Sequence, residues 1–505
     1  MAKASGCRPL IWGFKSLPRL YGKSLGDASV PITFFNTMGK RNETFHPFRE
    51  GHVGMYTCGP TVYSYAHIGN FRAYIFEDVL RRVLEYNGFK VKHVMNITDV
   101  GHLTSDADTG EDKMEMGAKR EKKTVWEVAE LYTRQFLLDA ERLNIERPTV
   151  ICKATDHIED MIKLVRKLEE KGYTYIIDDG VYFDTSKFPQ YGKLTDMTFE
   201  KLNENLKAGA RIDFNPQKRN ITDFALWRFS PKESKRQMEW PSPWGVGFPG
   251  WHIECSTMSM KYLGETFDIH TGGEDHIPIH HTSEIAQSEA ATGKKFVNYW
   301  LHNSFLVFAG SAKMAKSKGN IITLDTLMEQ EFDPLSYRYL CLTAHYRSEL
   351  EFSWESLTAA QNSLDTLREN FRLIRENLAG EYTDNAKECR ESFLKGVNDD
   401  LDTPKALSLV WGVVRSKELN NAEKHDLLLH FDRVLGLGLK KEEKPVELTE
   451  EIQGLIEERE EARKSGNYKH ADEIRAQLKL MGIILEDTAK GVRWKRNQKS
   501  DRNVQ

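Results

Sequence analysis

At 505 residues the chain is longer than one hydrophobic core usually grows, and about 100–200 residues per domain implies three or four domains. Its composition, 40% hydrophobic and 29% charged, contains no apolar run near the roughly 18–20 residues that cross a bilayer, which argues against a membrane protein. A net charge of −4 argues against nucleic-acid binding through the overall field while leaving room for a local patch.

The first 30 residues carry Lys3, Arg8, Lys15, Arg19 and Lys23 with no acid before Asp27. They loosely resemble an organellar transit peptide, but serine is sparse and arginine is not dominant, so a disordered extension of a cytoplasmic protein is the competing reading. The six cysteines, Cys7, Cys58, Cys152, Cys255, Cys341 and Cys389, form no C-x-x-C pair and no dense framework. That pattern suits a reducing compartment, and cytoplasm is the expected location, with a mitochondrial or other organellar one as the alternative.

Val53 to Thr57 reads as a strand running into the turn Cys58-Gly59-Pro60. From Ala73 to Tyr86 the residues Ile75, Phe76, Val79, Leu80, Val83 and Leu84 recur at helical spacing, which places His67-Ile68-Gly69-Asn70 at a helix entrance. Lys90 to Asn96 alternates as a second strand. A strand, helix, strand unit of this length suits parallel pairing and the start of a doubly wound nucleotide fold, with residues 31–155 as its first half. A polar loop, Gly101 to Asp112, precedes amphipathic helices at Val125–Leu143 and His157–Lys171, and Asp178-Asp179-Gly180 reads as a hairpin turn. Residues 156–238 are expected to be an insertion. The prolines and glycines of 241–250 mark its return and are expected to exclude regular structure, so that 239–310 forms the second half of the sheet domain. Residues 311–356 connect to a helical, charged region at 357–440, in which Leu364, Leu367, Phe371 and Ile374 share one face. A charged linker at 440–446 leads to a last unit, 441–505, with helices near Thr449–Ser465 and Ala471–Met481 and a short extended end through Trp494. Lys490, Arg493, Lys495, Arg496, Lys499 and Arg502 surround Trp494 there, as a solvated tail or as groups for phosphates and a stacked base.

Cys58, Cys255, His280 and Glu284 are zinc-competent, yet long gaps separate them, unlike the closely spaced cysteines of a zinc ribbon. His280 and Glu284 stand at i and i+4, so on a helix both face one ion, whereas His281 would point about a quarter-turn away. Four ligands need not exclude substrate, because zinc can become five-coordinate. At His67–Asn70 the glycine lets a ligand approach the backbone, and a helix N-terminus presents N–H groups to phosphates. His67 and Asn70 could add donors to a phosphoryl-transfer transition state. Lys313 and Lys316 lie between Gly310 and Gly319, a loop that could close over a triphosphate.

In order and combination, several segments resemble the class I cysteinyl-tRNA synthetases over nearly the whole length after residue 30. They are Met55–Tyr63, His67–Asn70, Asn96-Ile97-Thr98-Asp99, Gly250–Ser256, Asp268-Ile269-His270, Lys313–Ser317 and Gly482–Thr488. The resemblance implies a Rossmann-like parallel-sheet catalytic domain split by an insertion, a helical bundle and a small C-terminal anticodon-binding domain. It implies that Cys58, Cys255, His280 and Glu284 bind one zinc ion per chain. It gives His67, Gly69, Asn70, Asp275 and Lys316 to ATP, with His67, Asn70, Lys313 and Lys316 in the catalytic role. Thr61, Asn96, Thr98, Trp251 and Gly273 would lie around the cysteinyl-adenylate. The implied reaction activates L-cysteine with magnesium-bound ATP and passes it to the terminal ribose of tRNA(Cys), by a monomer that needs no membrane. Zinc has a physical purpose in such a site: a bound thiol ionises, which separates cysteine from serine where pocket shape alone discriminates poorly.

The chain departs from the family pattern at Ala315, where serine is usual, at Pro278-Ile279 before the histidine pair, and at Thr282-Ser283 before Glu284. A rival of the mycothiol-synthesis type joins cysteine to an amino sugar, but such ligases lack the C-terminal unit that residues 450–496 supply here.

Overall fold

The computed structural model describes residues 30–101, 112–208, 215–231, 236–308, 312–313, 321–381, 383–440, 449–481, 483–488 and 491–496. The leader, most of the Gly101–Asp112 loop, Lys316 with Gly310, Ala315 and Gly319, the 441–446 linker and the basic residues Lys490, Lys499 and Arg502 lie outside them.

An antiparallel hairpin, β1 (Thr33–Asn36) and β2 (Arg41–Thr44), precedes the expected strand-helix-strand unit of β3 (His52–Thr57), α1 (Ile68–Tyr86) and β4 (Lys90–Ile97). The two strands pair in parallel from His52↔Lys90 to Thr57↔Met95. Helix α1 begins at Ile68, which puts His67–Asn70 at its entrance as expected, and there His67 and Asn70 form a capping box. After α2 (Lys113–Glu121) and α3 (Val125–Arg142), β5 (Val150–Lys153) joins β4 in parallel.

Helix α4 (Ile158–Glu170) leads into β6 (Thr174–Ile177), β7 (Gly180–Phe183), α5 (Phe199–Ala208), β8 (Phe224–Phe229) and β9 (Gly247–Pro249). The four strands make an antiparallel sheet in chain order. Strand β9 corrects the expectation that prolines and glycines exclude regular structure at 241–250. It holds an edge position, where Pro249 need not donate, and a Cβ on Gly247 would fall 1.9 Å from the Arg228 carbonyl oxygen, so only glycine allows the approach.

Next come α6 (Trp251–Leu263), β10 (Phe267–Gly273), α7 (Thr282–Thr292) and β11 (Val297–Asn303). They complete a five-stranded parallel sheet in the order β11-β10-β3-β4-β5. Alternate residues enter different cores: Met55, Met95 and Leu301 join the cluster under α1 and α3, while Tyr56, Val94 and Trp300 join the one under α4, α6 and α7. Both faces are thus covered, as a parallel sheet requires.

Strands β12 (Leu306–Phe308), β13 (Ala312–Lys313) and β14 (Leu350–Phe352) form a small sheet around α8 (Leu324–Glu329) and α9 (Pro334–Leu342). Four helices follow: α10 (Trp354–Glu376), α11 (Asp384–Asn398), α12 (Thr403–Arg415) and α13 (Asn421–Leu435). The predicted face of Leu364, Leu367, Phe371 and Ile374 is buried in α10. The end of the chain has α14 (Glu450–Lys464), α15 (Tyr468–Leu480) and an antiparallel hairpin, β15 (Ile483–Thr488) and β16 (Gly491–Arg496), which share a core of Ile456, Ile474, Leu478, Ile483 and Leu485. The architecture is therefore the expected α/β one, with a helical bundle and a small terminal domain.

Candidate active site and metal centre

Four separated segments bring their metal-competent side chains together at the C-terminal edge of the parallel sheet. Cys58 directly follows β3, Cys255 lies in α6, His280 lies near the end of the segment between β10 and α7, and Glu284 stands in the first turn of α7. One donor atom from each lies within 4.8 Å of all the others. The two sulfurs are 3.9 Å apart, against about 3.8 Å for the edge of a tetrahedron with zinc–sulfur bonds of about 2.3 Å. His280 Nε2 is 3.1 Å from Glu284 Oε1, close to the roughly 3.4 Å edge expected for nitrogen and oxygen ligands. Glu284 is fully buried, and its Oε1 accepts no hydrogen bond of proper geometry. A buried carboxylate oxygen in that state fits a cation between it and His280. Two sulfurs, one imidazole and one carboxylate make a donor set that suits zinc.

One expectation is corrected here: His281 does not point away. Ile277–His281 form a wider π-helical turn before α7, so both histidines face inward. His281 Nε2 lies 3.5 Å from Cys58 Sγ and 3.8 Å from Glu284 Oε1. Cys58, His270, His281 and Glu284 therefore make a second possible donor group, overlapping the first. His281 Nδ1 contacts His302 Nε2 at 2.7 Å, His302 Nδ1 contacts Thr37 Oγ1 at 2.7 Å, and His252 meets His280 at 2.8 Å between their Nδ1 atoms. Sequence spacing missed this carpet of histidines; His270 lay in a segment matched to the family, and His252 stands three residues before Cys255.

The electrostatics of the cluster favour separated charge. The hydrogen bond from Cys58 draws the Cys255 thiol down to about 7, against burial and with help from His280. That same contact, with burial, pushes Cys58 well up. Burial opposes charge on His280 and on Glu284, but Cys255 and Glu284 raise His280 to about 10, while His270 and His280 hold Glu284 at about 2.

Beside the cluster, three of the residues expected around an adenylate, Thr61, Asn96 and Thr98, form one connected group. Asn96 Oδ1 accepts the Gly59 N–H at 2.9 Å, Asn96 Nδ2 donates to Thr98 Oγ1 at 3.0 Å, and Thr98 donates to the buried Glu254 carboxylate at 2.9 Å. Thr61 bridges to Thr98, so the Cys58–Val62 turn is laced to the end of β4. A Cβ on Gly59 would stand 1.6 Å from the Asn96 carbonyl oxygen, which leaves room for glycine alone. Trp251 opens α6 with its ring 4.4 Å from that of His280, and Lys113 Nζ sits 5.6 Å from the Trp251 ring. Gly273 ends β10, and Asp275 follows in a short helical turn.

At the entrance of α1, His67 Nδ1 accepts the Asn70 N–H at 3.2 Å and Asn70 Oδ1 accepts the His67 N–H at 3.1 Å. With Nδ1 as acceptor, the proton of a neutral His67 ring resides on Nε2. No acid occupies the first turn of α1, so its positive end is not neutralised there. The Ile68 N–H reaches the Ile322 carbonyl at 2.9 Å, and His67 bridges to Thr323, so the segment just before α8 meets this entrance. Lys313 ends β13 against β12.

Residues 44–362 match the family model described as the tRNA synthetases class I (C) catalytic domain, and residues 446–494 match the cysteinyl-tRNA ligase anticodon binding domain. A cysteine–tRNA ligase of Treponema denticola is 49% identical over 496 residues, spanning 92% of this chain and 100% of the relative. Cysteine–tRNA ligase 1 of Burkholderia lata is 50% identical over 469 residues, spanning 92% and 97%. Among solved structures, methionyl-tRNA synthetase of Mycobacterium tuberculosis in complex with methionyl-adenylate superposes with a TM-score of 0.51 at 16% identity, over 76% of this chain and 90% of that one. That likeness speaks for the fold alone.

Proposed function

The chain belongs to the cysteine–tRNA ligases, a family of class I aminoacyl-tRNA synthetases, and from that premise we propose how its residues divide the reaction. L-cysteine and magnesium-bound ATP meet in the pocket between the Cys58 cluster and the entrance of α1. The cysteine carboxylate attacks the α-phosphate, the bond to the β-phosphate breaks, and cysteinyl-adenylate and pyrophosphate form. The 2′-hydroxyl of the terminal ribose of tRNA(Cys) then attacks the activated carbonyl, loses its proton, and releases AMP.

Cys58, Cys255, His280 and Glu284 would hold zinc. When bound there, zinc supplies a soft Lewis acid that ionises a thiol and bonds it more strongly than a serine hydroxyl. The protein's own groups do the rest. The unneutralised N-terminus of α1, with Gly69 leaving the backbone approachable, receives phosphate oxygens. His67 Nε2–H and the Asn70 amide add donors, and Lys313 and Lys316 bring positive charge to the departing pyrophosphate. Asn96 and Thr98, held by Gly59 and Glu254, orient the amino acid; Thr61 and Trp251 wall it, and Gly273 and Asp275 border the ribose. We further propose a cytoplasmic monomer; among the described residues no helix is long and apolar enough to cross a membrane.

The observation that carries this reading is the Cys58, Cys255, His280 and Glu284 quartet, with all four donors within 4.8 Å and Cys58 nine residues before His67 at the α1 entrance. The test is pyrophosphate exchange into ATP by the zinc-loaded protein. Exchange should require cysteine and be negligible with serine, and Cys255→Ala should abolish that selection. Absence of cysteine-dependent exchange would sink the reading.

A further inference from the structure

The corner between α2 and α3 is exposed and rich in basic residues. From Lys113 to Trp126 the sequence holds five basic residues, Lys113, Lys119, Arg120, Lys122 and Lys123, against two acids, Glu115 and Glu121. This contrasts with the net charge of −4 of the whole chain. Arg120 is already engaged, with Glu121 and with the Tyr63 carbonyl at 2.7 Å. Lys119, Lys122 and Lys123 are exposed, and among the described residues no ion pair reaches them. The left-handed backbone at Lys122, φ 53°, ends α2 and turns the chain into Thr124, which caps α3.

Large aromatic faces flank these lysines. Trp126 is 47% exposed despite an edge contact with Trp240 at 6.5 Å, and Tyr65 is 44% exposed while edging Tyr132 at 5.0 Å. An exposed indole edging a second indole, beside three exposed lysines that form no ion pair among the described residues, fits a partner with flat faces and a polyanionic backbone, which is single-stranded nucleic acid.

The corner is also tied to the pocket. Lys113 at the start of α2 stands over Trp251. A Cβ on Gly117 in mid-helix would meet the Tyr63 carbonyl at 2.8 Å, so α2 lies directly on the segment between Cys58 and His67. From Gly117 to Lys122 at the end of α2 the helix rise carries the chain about 7 Å along its axis to the cationic surface.

We propose that the α2–α3 corner is the docking surface for the unpaired 3′ segment of the tRNA, with Lys119, Lys122 and Lys123 on its phosphates and Trp126 under one of its bases. This rests on the proposed aminoacylation, because a terminal ribose that reaches the pocket must bring its unpaired neighbours out across the rim.

The test uses the full-length protein and a tRNA(Cys) transcript. The triple variant Lys119→Ala, Lys122→Ala, Lys123→Ala should raise KM for tRNA about tenfold or more. It should also lower the slope of log KM against log salt by about 2, at roughly 0.7 per phosphate contact for a single strand. Trp126→Ala should raise KM at least about fivefold through lost stacking. Both variants should keep wild-type cysteine-dependent pyrophosphate exchange, which involves no tRNA and reports an intact fold and pocket. Unchanged KM and salt slope with intact exchange would overturn the docking surface and leave the aminoacylation reading standing. A wild-type protein without cysteine-dependent exchange would remove the premise itself.

Discussion

Cys255→Ala removes one of two sulfurs that stand 3.9 Å apart and leaves Cys58, His280 and Glu284 behind. Four-ligand zinc sites are worth about 10–16 kcal/mol in total, so one ligand is worth roughly 3 kcal/mol and its loss should weaken zinc about 100-fold or more. His281→Asn makes the contrast. Its ring lies 3.5 Å from Cys58 Sγ but is also engaged with His302 at 2.7 Å, so as a neighbour of the ligands it should cost about tenfold. Competition with a chromophoric chelator at pH 7 measures both. The predicted order is a large loss for Cys255→Ala and a small one for His281→Asn. The reverse order would refute the assignment and move the ion onto Cys58, His270, His281 and Glu284, the overlapping donor group.

Gly59→Ala should lower cysteine-dependent exchange about 100-fold while the protein stays folded, because its Cβ would strike the Asn96 carbonyl and displace groups by about 1 Å; activity within threefold of wild type would contradict this. Asp78→Ala strands Arg338, which is fully buried and 2.6 Å from the Asp78 carboxylate. Breaking such a pair should cost roughly 3–5 kcal/mol and lower Tm by about 4 °C, read by thermal melting. His93, buried on β4, is held down to about 3 by burial, with Arg81 adding to the effect. The unfolded chain takes up its proton near 6.5 while the native state does not, so this group's contribution to stability falls as pH drops from about 6.5 towards 3, by up to about 1.4 kcal/mol per unit. His93→Asn should flatten the Tm profile between pH 6.5 and 5, and an unchanged slope would count against it.

Local rules made much of the framework legible. Hydrophobic spacing found α1, α3, α4 and the buried face of α10, because each of these helices presents its apolar side to a core, and β3 and β4 were legible as short strands although their alternate residues enter two cores. Pairing across the chain was less visible. Strand β9 was hidden because its glycine and proline serve close packing at a sheet edge, where local composition reads as a turn. The metal-competent quartet came from residue chemistry and the family resemblance, and the fold gathers it; the role of each residue is the proposal tested above. The inward turn of His281 escaped because i, i+4 reasoning assumes an α-helix, and one π-helical turn rotates the neighbouring ring into the site. His270, His302 and Glu254 were not legible at all as partners. They carry no spacing signal, and their contacts with Glu284, His281 and Thr98 exist only once β10, β11 and α6 converge.

The most direct measurement follows labelled cysteine onto RNA. Zinc-loaded protein, ATP, magnesium and a tRNA(Cys) transcript should yield cysteine attached to the terminal ribose, with one AMP and one pyrophosphate per cysteine transferred and no transfer to a transcript whose terminal ribose lacks its hydroxyls. Formation of cysteinyl-adenylate that is consumed by a small amine, with no label on the tRNA, would contradict the account.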